Sequence, residues 1–443
     1  MSGDPSSTLL RVRRRLGSTA SWLRSRLGLL VAVLLAAAIG AGGAYLLTSE
    51  DETDSPEVAS PAPPVIDLEV PVAEQPADVG FPDFATKNTT RVAGADPATD
   101  AAGVALAVYP STDRATSPDA VTLVDASEWQ AGIAAASLVG EPVGAPILLT
   151  SDGETPELTA GALRALDPQG SAATAGRQVL AIGAAARPDG FETLEVKGSE
   201  PAELAAGIDR LRERLAGKPQ HVLLVSADDP ELAMPAAAWA ARSGDPVLFV
   251  ERDGLPAETA ARLQAYEGVP VYVLGPPSAV SEKTMKQIER VTATADRLGS
   301  DDAVENAIEF ARYASGSFGW NINDPGHGFV IANVKRPLDA AAAAPLSASG
   351  TWGPLLVSDE VTAPPTALDN YLLDLKPGYQ GDPTRAVYNH VWLIGDDSAL
   401  STAFQARVDQ LAEVAPVTSG SGSSELGPPP GTPESQPDED KNR

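Results

Sequence analysis

One segment of the chain recurs after about a hundred residues, and this recurrence constrains the fold more than any other feature of the sequence. Residues 92–104 (VAGADPATDAAGV) and 196–208 (VKGSEPAELAAGI) share seven identities at an offset of 104 positions. A third copy begins at Arg297, where an arginine and an aspartate keep the five-residue separation that they have in the first copy. We therefore expect three related units of about 100 residues, each large enough for one hydrophobic core.

Each copy continues with the same order of patterns. An apolar strand, an alanine-rich helix, a short apolar strand after a glycine turn, a proline-capped helix and a last strand that ends in glycine follow one another three times. The first strands are VTLVDA at residue 121, VLLVSA at residue 222 and GFVIAN at residue 328. The turn glycines are Gly144, Gly244 and Gly353, and the final glycines are Gly183, Gly275 and Gly395. Short apolar runs separated by helices are typical of parallel strands buried on both faces. The sequence therefore predicts an α/β fold of three repeat units with parallel sheets.

The N-terminal region differs in composition from the repeats. Residues 27–47 form a run of 21 residues without a charge. At about 1.5 Å per residue, such a run is long enough to cross a hydrocarbon layer of about 30 Å. Six arginines precede it, and four acids follow it between residues 50 and 54. This bias predicts a single-pass transmembrane helix with a cytoplasmic N-terminus and an extracellular remainder. A cleaved signal peptide is the alternative, although its apolar core usually has only about 7–15 residues.

Composition also divides the rest of the chain. Proline and acidic residues follow the apolar run, and the C-terminal segment lacks apolar periodicity, which is typical of a spacer and of a disordered tail. The predicted segments are 1–26, a basic cytoplasmic segment; 27–47, the transmembrane helix; 48–87, a Pro/acid-rich linker; 88–190, 191–292 and 293–417, repeat units 1, 2 and 3; and 418–443, the tail.

Several classes of function are excluded by residue types. The sequence has no cysteine and three histidines, which excludes disulfides, thiolate metal sites and a cysteine nucleophile. Its 32 basic and 60 acidic residues give a net charge of −28, which argues against a nucleic-acid partner. The sequence contains neither a G-x-S-x-G turn nor a phosphate-binding loop motif. We therefore predict no catalytic residue, no metal and no cofactor, and a protein that is not an enzyme.

The repeated order resembles the cell-wall-binding repeat family of the second type, which occurs in triplicate on surface proteins of Gram-positive bacteria. The matching segments are RVAGAD from Arg91 to Asp96, GAPILLT from Gly144 to Thr150, VYVLG from Val271 to Gly275, and Asp339 with Ala344, Pro345 and Leu346. The resemblance covers about residues 88–415. It implies Rossmann-like or Toprim-like units in a pseudo-threefold arrangement and noncovalent attachment to anionic cell-wall polymers.

The sequence departs from the family pattern at several positions. The Arg-Tyr pair that usually follows the motif's aspartate is absent, since Pro97, Pro201 and Ala303 follow it here. The leading arginine is Glu195 in the second unit. The helix aspartate, Asp339 in the third unit, is Glu231 in the second and Ala131 in the first. These departures leave open whether ligand binding is lost or confined to one unit.

Two arginines are candidate ligand-binding residues, together with the aspartates of their motifs. The guanidinium groups of Arg91 and Arg297 have the planar geometry that binds phosphate or carboxylate in a bidentate manner. The alternative is an ion pair within each motif, with Asp96 and Asp302.

The third unit carries further candidates. Lys335 and Arg336 follow its first strand, where open α/β sheets bind their ligands, and Asp339 begins the next helix. Trp320 lies in an insertion over residues 314–328, and it either stacks on a sugar ring or packs in the core. We therefore predict that the third unit is the most competent one.

These observations predict a membrane-anchored extracellular protein that binds cell-wall polysaccharide or another anionic wall polymer through its three repeats. Residues 1–47 carry a net charge of +5, which leaves −33 for the remainder. Such a charge argues against simple electrostatic capture of an anionic polymer. A scaffolding protein that binds an envelope protein partner is one alternative. An envelope hydrolase that uses paired acids such as Asp228 and Asp229 is the other.

Overall fold

The computed structural model describes residues 84–349 and 351–417. The predicted cytoplasmic segment, transmembrane helix and tail lie outside these residues, as does most of the predicted linker. Within the described part of the chain, no helix combines the length and the apolarity needed to cross a membrane.

The described residues form short strands and helices that alternate along the chain. The strands are β1 (Phe84–Ala85), β2 (Thr89–Val92), β3 (Val121–Asp125), β4 (Ile147–Thr150), β5 (Val179–Ile182), β6 (Thr193–Val196), β7 (Val222–Ser226), β8 (Val247–Val250), β9 (Val271–Leu274), β10 (Ala295–Leu298), β11 (Gly328–Asn333), β12 (Leu355–Ser358), β13 (Gly378–Tyr379), β14 (His390–Ile394) and β15 (Ala415–Pro416). The helices are α1 (Pro97–Val108), α2 (Trp129–Ala135), α3 (Glu157–Leu166), α4 (Pro201–Ala216), α5 (Pro230–Ser243), α6 (Ala257–Ala265), α7 (Glu282–Ile288), α8 (Ala303–Arg312), α9 (Asp339–Ala348), α10 (Thr366–Asp374) and α11 (Thr402–Ala412). Two 3₁₀ turns lie at Ala136–Leu138 and Pro383–Arg385.

Three parallel sheets have the same strand order. The first sheet runs β4-β3-β5-β6, the second β8-β7-β9-β10 and the third β12-β11-β14-β2, to which β1 adds an antiparallel edge. The predicted α/β class with parallel sheets is confirmed. Strands β4, β5, β7, β8 and β9 are buried along their whole length, which is typical of parallel strands covered by helices on both faces.

The three sheets also share their register. Thr122, Leu223 and Val330 of the first strands pair with the first residues of β4, β8 and β12. The glycine after β5, β9 or β14 donates its backbone N–H to a carbonyl of the neighbouring edge strand at 2.8 Å, and these pairs are Gly183 to Val196, Gly275 to Leu298 and Gly395 to Val92. The three final glycines therefore make equivalent hydrogen bonds, as the sequence predicted.

Each edge strand comes from the repeat that follows its sheet. Strand β6, which begins the second repeat, completes the first sheet, and β10 completes the second in the same way. Strand β2, which begins the first repeat, pairs with β14 in the third sheet. The exchange of edge strands thus closes the three repeats into a cycle. The boundaries predicted at residues 190 and 292 stay a prediction.

The turn before the short strand differs in the third unit. Gly144 and Gly244 stand three residues before β4 and β8 and have left-handed backbones, with φ of +62° and +73°. Three residues before β12 stands Trp352, with φ of +49°. The equivalence of Gly353 with the other two glycines is therefore wrong by one position. Gly353 is needed for another reason, because a Cβ atom there would lie 1.8 Å from the carbonyl oxygen of Gly328.

The alanine-rich helices α2, α5 and α9 pack against one another. A Cβ atom built at Gly132 of α2 would lie 3.1 Å from the Cβ of Ala341 in α9, so these two helices approach closely. One built at Gly140, which follows α2, would lie 2.4 Å from the carbonyl oxygen of Ala241 in α5. The largest cluster of buried apolar residues draws on all three repeats. Small side chains permit this approach, which makes the three units one packed body.

Candidate functional site

The leading arginine of the first motif is buried and serves the fold. Arg91 lies in β2, and its Nε donates to Oε1 of Gln405 at 2.8 Å. Its Nη1 donates to the carbonyl oxygens of Gly395 and Asp396 at 2.8 and 3.1 Å. The side chain therefore fastens the loop after β14 to the strand that closes the cycle.

Arg297 does the same for the second sheet. Its Nη1 donates to the carbonyl oxygen of Gly275 at 3.0 Å and its Nη2 to that of Val280 at 2.7 Å. In the part of the chain that the structure describes, neither Arg91 nor Arg297 forms an ion pair with the aspartate of its own motif, which was the alternative that the sequence offered. Asp96 and Asp302 instead begin helices α1 and α8, where each accepts a backbone N–H at 2.9 Å as an N-cap. A role of these four residues in ligand binding stays a prediction.

Arg336 is held between two buried carboxylates. Its Nη2 contacts Asp100 of α1, and its Nε lies 2.8 Å from Oδ2 of Asp339. Both aspartates are fully buried. Burial raises the pKa of Asp100, and the charge of Asp339 raises it further. Burial likewise raises the pKa of Asp339, while Arg336 opposes the shift. This buried cluster joins the first repeat to the third.

The other two junctions between units lack this cluster. Counting from the ends of the first strands places Leu232 and Ala131 where the third unit has Asp339. In the second unit this position is therefore Leu232 rather than Glu231. Asn306 of α8 and Leu204 of α4 take the place of Asp100, four residues after the cap of each helix.

Lys335 is the exposed basic residue of the predicted third-unit site. Its backbone N–H donates to Oδ1 of Asn333 at 2.9 Å, which fixes the turn after β11. Because Arg336 is engaged in the buried cluster, Lys335 and Arg336 do not form the pair of accessible charges that the sequence suggested.

An open cavity of about 500 Å³ lies between the second and third units, at the amino ends of their strands. Three tryptophans line it, together with polar side chains of both units. The tryptophans are Trp239, Trp320 and Trp352. Its volume lies in the range of about 300–1,000 Å³ that is usual for small-molecule sites.

Trp320 occupies this cavity rather than the predicted third-unit site. Its ring centre lies 5.5 Å from that of Trp239 in an edge-to-face contact. Among the described residues, its buried Nε1 has no hydrogen-bond partner. Lys335 and Arg336 follow the carboxyl end of β11, whereas the cavity lies before the amino ends of β7 and β11. Trp320 therefore lies at the opposite end of β11 from Lys335 and Arg336.

Trp352 stands at the rim of the cavity in a conformation that large side chains rarely adopt. Its side chain is 50% exposed, and its Nε1 donates to the carbonyl oxygen of Ala348 at 2.6 Å. The first and second units have glycine at this position. A strained, exposed tryptophan where glycine suffices is a feature typical of a binding site.

Sequence reasoning considered Trp320 and missed Trp239. Trp239 lies within the alanine-rich helix α5, where an aromatic residue gives no sign of a nearby cavity. His221 appears in the sequence only as a residue before an apolar strand, and nothing there pairs it with side chains of the third unit. No cluster able to hold a metal ion occurs in the described part of the chain.

The comparisons with known proteins agree with the repeat pattern. Residues 196–285, from β6 to within α7, match the model of the family described as cell wall binding domain 2 (CWB2). The solved structures of Cwp6 and Cwp8 from Clostridium difficile resemble the fold with TM-scores of 0.57 and 0.56, each at 18% identity. The similarity covers 73% and 74% of this chain but 47% and 52% of theirs, so this chain spans about half their length. The comparison with curated proteins found no match. At 18% identity the two structures show a shared fold. Residues 196–285 therefore match the cell wall binding domain 2 family, and they lie within a cycle of three sheets that share one strand order.

Proposed function

We propose that the chain is a membrane-anchored envelope protein whose extracellular repeats bind cell-wall glycopolymer noncovalently, with the units arranged about a pseudo-threefold axis. The observation that carries the proposal is the family match of residues 196–285. The common strand order of the three sheets supports it, because the matched repeat then has two structural counterparts in the same chain. The apolar segment of residues 27–47, preceded by six arginines, supports the membrane anchor.

The surface chemistry favours recognition of sugar rings over capture by charge. The chain beyond residue 47 carries a net charge of −33, which repels an anionic polymer. The guanidinium groups of Arg91, Arg297 and Arg336 bind groups of the chain itself. The cavity instead offers three indole rings, whose flat apolar faces suit the apolar faces of sugars. We therefore assign the sugar-binding role to this cavity.

Wall binding by a Trp352→Ala variant tests the assignment. The full chain, purified in mild detergent, is mixed with isolated Gram-positive cell walls, and the bound fraction is measured after sedimentation. Loss of one stacked indole is expected to weaken binding about tenfold, which corresponds to about 1.4 kcal/mol. Added salt should change the binding little, because it screens charges and leaves stacking intact.

Tyr388→Ala is the matched control. Tyr388 is 56% exposed and lies outside the cavity. This variant should bind walls as the unaltered chain does. Equal binding by the Trp352 variant would place the sugar site elsewhere. A chain that fails to sediment with walls at any salt concentration would overturn the wall-binding function itself.

A further inference from the structure

Three side chains form a hydrogen-bonded line in the wall of the aromatic cavity. Nδ1 of His221 lies 2.9 Å from Oδ2 of Asp245, and Nε2 of His221 lies 3.0 Å from Oγ of Ser317. His221 and Asp245 are buried, whereas Ser317 is exposed, and all three line the cavity. In this order, the imidazole can take the serine proton while the carboxylate holds the imidazole in place.

The chain brings these residues together from distant positions. His221 immediately precedes β7, Asp245 stands two residues before β8, and Ser317 belongs to the insertion of the third repeat. Ser317 sits in a tight turn in which Ser315 and Phe318 exchange backbone hydrogen bonds of 2.8 and 3.0 Å. The left-handed backbone of Gly316, with φ of +60°, makes this turn and places Ser317 at its tip.

Packing fixes the turn against the second unit. The ring of Phe318 stacks on that of Tyr272 with centres 3.7 Å apart, and it also contacts the ring of His221 edge to face. The turn thus presents Ser317 to His221 from a fully buried aromatic anchor. A nucleophile held on a rigid turn is a requirement of catalysis, since misplacement lowers the rate steeply.

The carboxylate of Asp245 is itself oriented by two other donors. Its Oδ1 accepts the backbone N–H of His221 at 3.0 Å, and its Oδ2 accepts Nε1 of Trp239 at 3.1 Å. Oδ2 therefore faces Nδ1 of His221 and favours the tautomer with its proton on that nitrogen. The lone pair of Nε2 is then directed at the hydroxyl of Ser317.

Trp320, which lines the same cavity, carries a hydrogen-bond donor without a partner in the described part of the chain. Nε1 of Trp320 is buried and makes no hydrogen bond within the described residues. A buried N–H group without an acceptor is unusual in proteins. A ligand that carries a hydrogen-bond acceptor, such as a carbonyl oxygen, would satisfy this donor.

We propose that this cavity is a serine esterase site for a carboxylic ester of a sugar hydroxyl, with Ser317 as nucleophile and His221 as general base and acid. Asp245 is a positioning residue that acts through His221. The choice of a sugar ester rests on the proposed function, because it uses the indole rings for the sugar. The hydrolytic chemistry rests on the three hydrogen-bonded side chains alone.

The reaction has two steps. Oγ of Ser317 attacks the carbonyl carbon while its proton passes to Nε2 of His221. The ester C–O bond then breaks, the sugar oxygen takes that proton, and the acyl group stays on Ser317. Water attacks the acyl carbon and gives one proton to His221, which returns it to Oγ as the carboxylic acid leaves.

Hydrolysis of p-nitrophenyl acetate by the full chain tests the proposal. Ser317→Ala should lower kcat at least a hundredfold, because the nucleophile is lost. Ser151→Ala, at an exposed turn of the same bridge type in the first unit and outside the cavity, is the matched control and should stay within twofold of the unaltered chain. A fluorophosphonate probe should label the unaltered chain on Ser317, as located by peptide mass spectrometry. Unchanged hydrolysis by the Ser317 variant, or labelling elsewhere, would overturn the proposal.

The Asp245→Asn variant tests whether Asp245 orients His221 for catalysis or only stabilises the fold. The asparagine amide cannot accept from all the donors that surround Asp245, so His221 loses its preferred tautomer. We expect kcat to fall with little change in KM, and the pH profile of kcat to shift. An unchanged profile in a folded variant would remove Asp245 from the mechanism.

The Ser317→Ala variant also keeps the two proposals apart. It should sediment with cell walls as the unaltered chain does, because no indole ring is altered. Probe labelling of Ser317 in a chain that does not bind walls would leave the esterase site in place and overturn the choice of a sugar ester.

Discussion

At the scale of single residues, Asp100, Arg336 and Asp339 show how two buried carboxylates share one guanidinium. Both side chains are removed from water, which disfavours their charged forms and raises the pKa of each above its ordinary value. An unfolded chain leaves both carboxylates solvated, with a pKa of about 3.9. The folded state therefore binds more protons than the unfolded state from about pH 4 up to the raised values, and stability should fall as pH rises through this window.

Asp100→Asn should remove part of that dependence. Asparagine imitates the protonated carboxyl, and its carbonyl oxygen can still accept the N–H of Gly94, which now donates to Asp100 at 2.8 Å. The junction between the second and third repeats already has Asn306 at the matching position. Between pH 5 and pH 8, the free energy of unfolding of the unaltered chain falls as Asp100 loses its proton. The variant has no proton to lose at this position, so we expect its decrease to be smaller by up to about 1.4 kcal/mol per pH unit.

Thermal midpoints measured at several pH values between 5 and 8 give the comparison. Asp302→Asn, which replaces an exposed capping carboxylate by another good N-cap residue, is the control and should keep the original slope. An Asp100 variant whose slope equals that of the unaltered chain would contradict the raised pKa of Asp100 in the folded protein.

At the scale of elements, the turn before the short strand of each sheet (β4, β8 and β12) has a left-handed backbone at glycine in two units and at tryptophan in the third. Glycine tolerates the left-handed region, whereas Trp352 occupies it at a cost of about 1–2 kcal/mol. The next residue must be Gly353, because β11 passes too close for a side chain. The turn thus keeps its shape although the residue at its centre has changed.

Comparison of Trp352→Gly with Trp352→Ala isolates that strain. Both variants lose the indole and should lose wall binding to the same extent. They differ by one Cβ atom in a left-handed conformation, so the glycine variant should be more stable by about 1 kcal/mol. Chemical unfolding of the two variants measures the difference. Greater stability of the alanine variant would show that the backbone at this position relaxes.

At the scale of the whole molecule, the closed cycle joins the start of the described chain to its end. Strand β2 is an edge strand of the third sheet, and Arg91 on it binds groups of the loop after β14. A sheet whose edge strand is supplied by the next repeat leaves no unit complete by itself. The exchanged edge strands also explain why Arg91 and Arg297 donate hydrogen bonds to backbone carbonyls of the loop after the neighbouring strand.

The proposed anchor is tested by protease treatment of intact cells. If residues 27–47 span the membrane with the N-terminus inside, external protease should digest the repeats and leave a short N-terminal fragment in the membrane fraction. An epitope placed at the N-terminus should be protected until the membrane is permeabilised. Mature protein that begins just after residue 47 would show that the segment is a cleaved signal.

The sequence by itself determined the number of repeats, the order of their elements and the α/β class with parallel sheets. Those features are local, since a buried strand needs an apolar run and a helix needs a cap and a periodic pattern. The sequence also identified the motif arginines, aspartates and Trp320 as unusual residues, but it could not assign their contacts. Arg91 contacts groups more than 300 residues away, and no local pattern encodes such a partner.

Only the tertiary structure decided which side chains come together at the proposed sites. Because the edge strands are exchanged, the guanidinium groups of Arg91 and Arg297 lie against backbone carbonyls. The insertion of the third repeat places Ser317 beside His221, which is 96 positions away in the sequence. The cavity exists because two units meet there, and its tryptophans come from three separate segments. The physical reason is that hydrogen bonds and ring contacts depend on distances in space, whereas a single sequence records only neighbours along the chain.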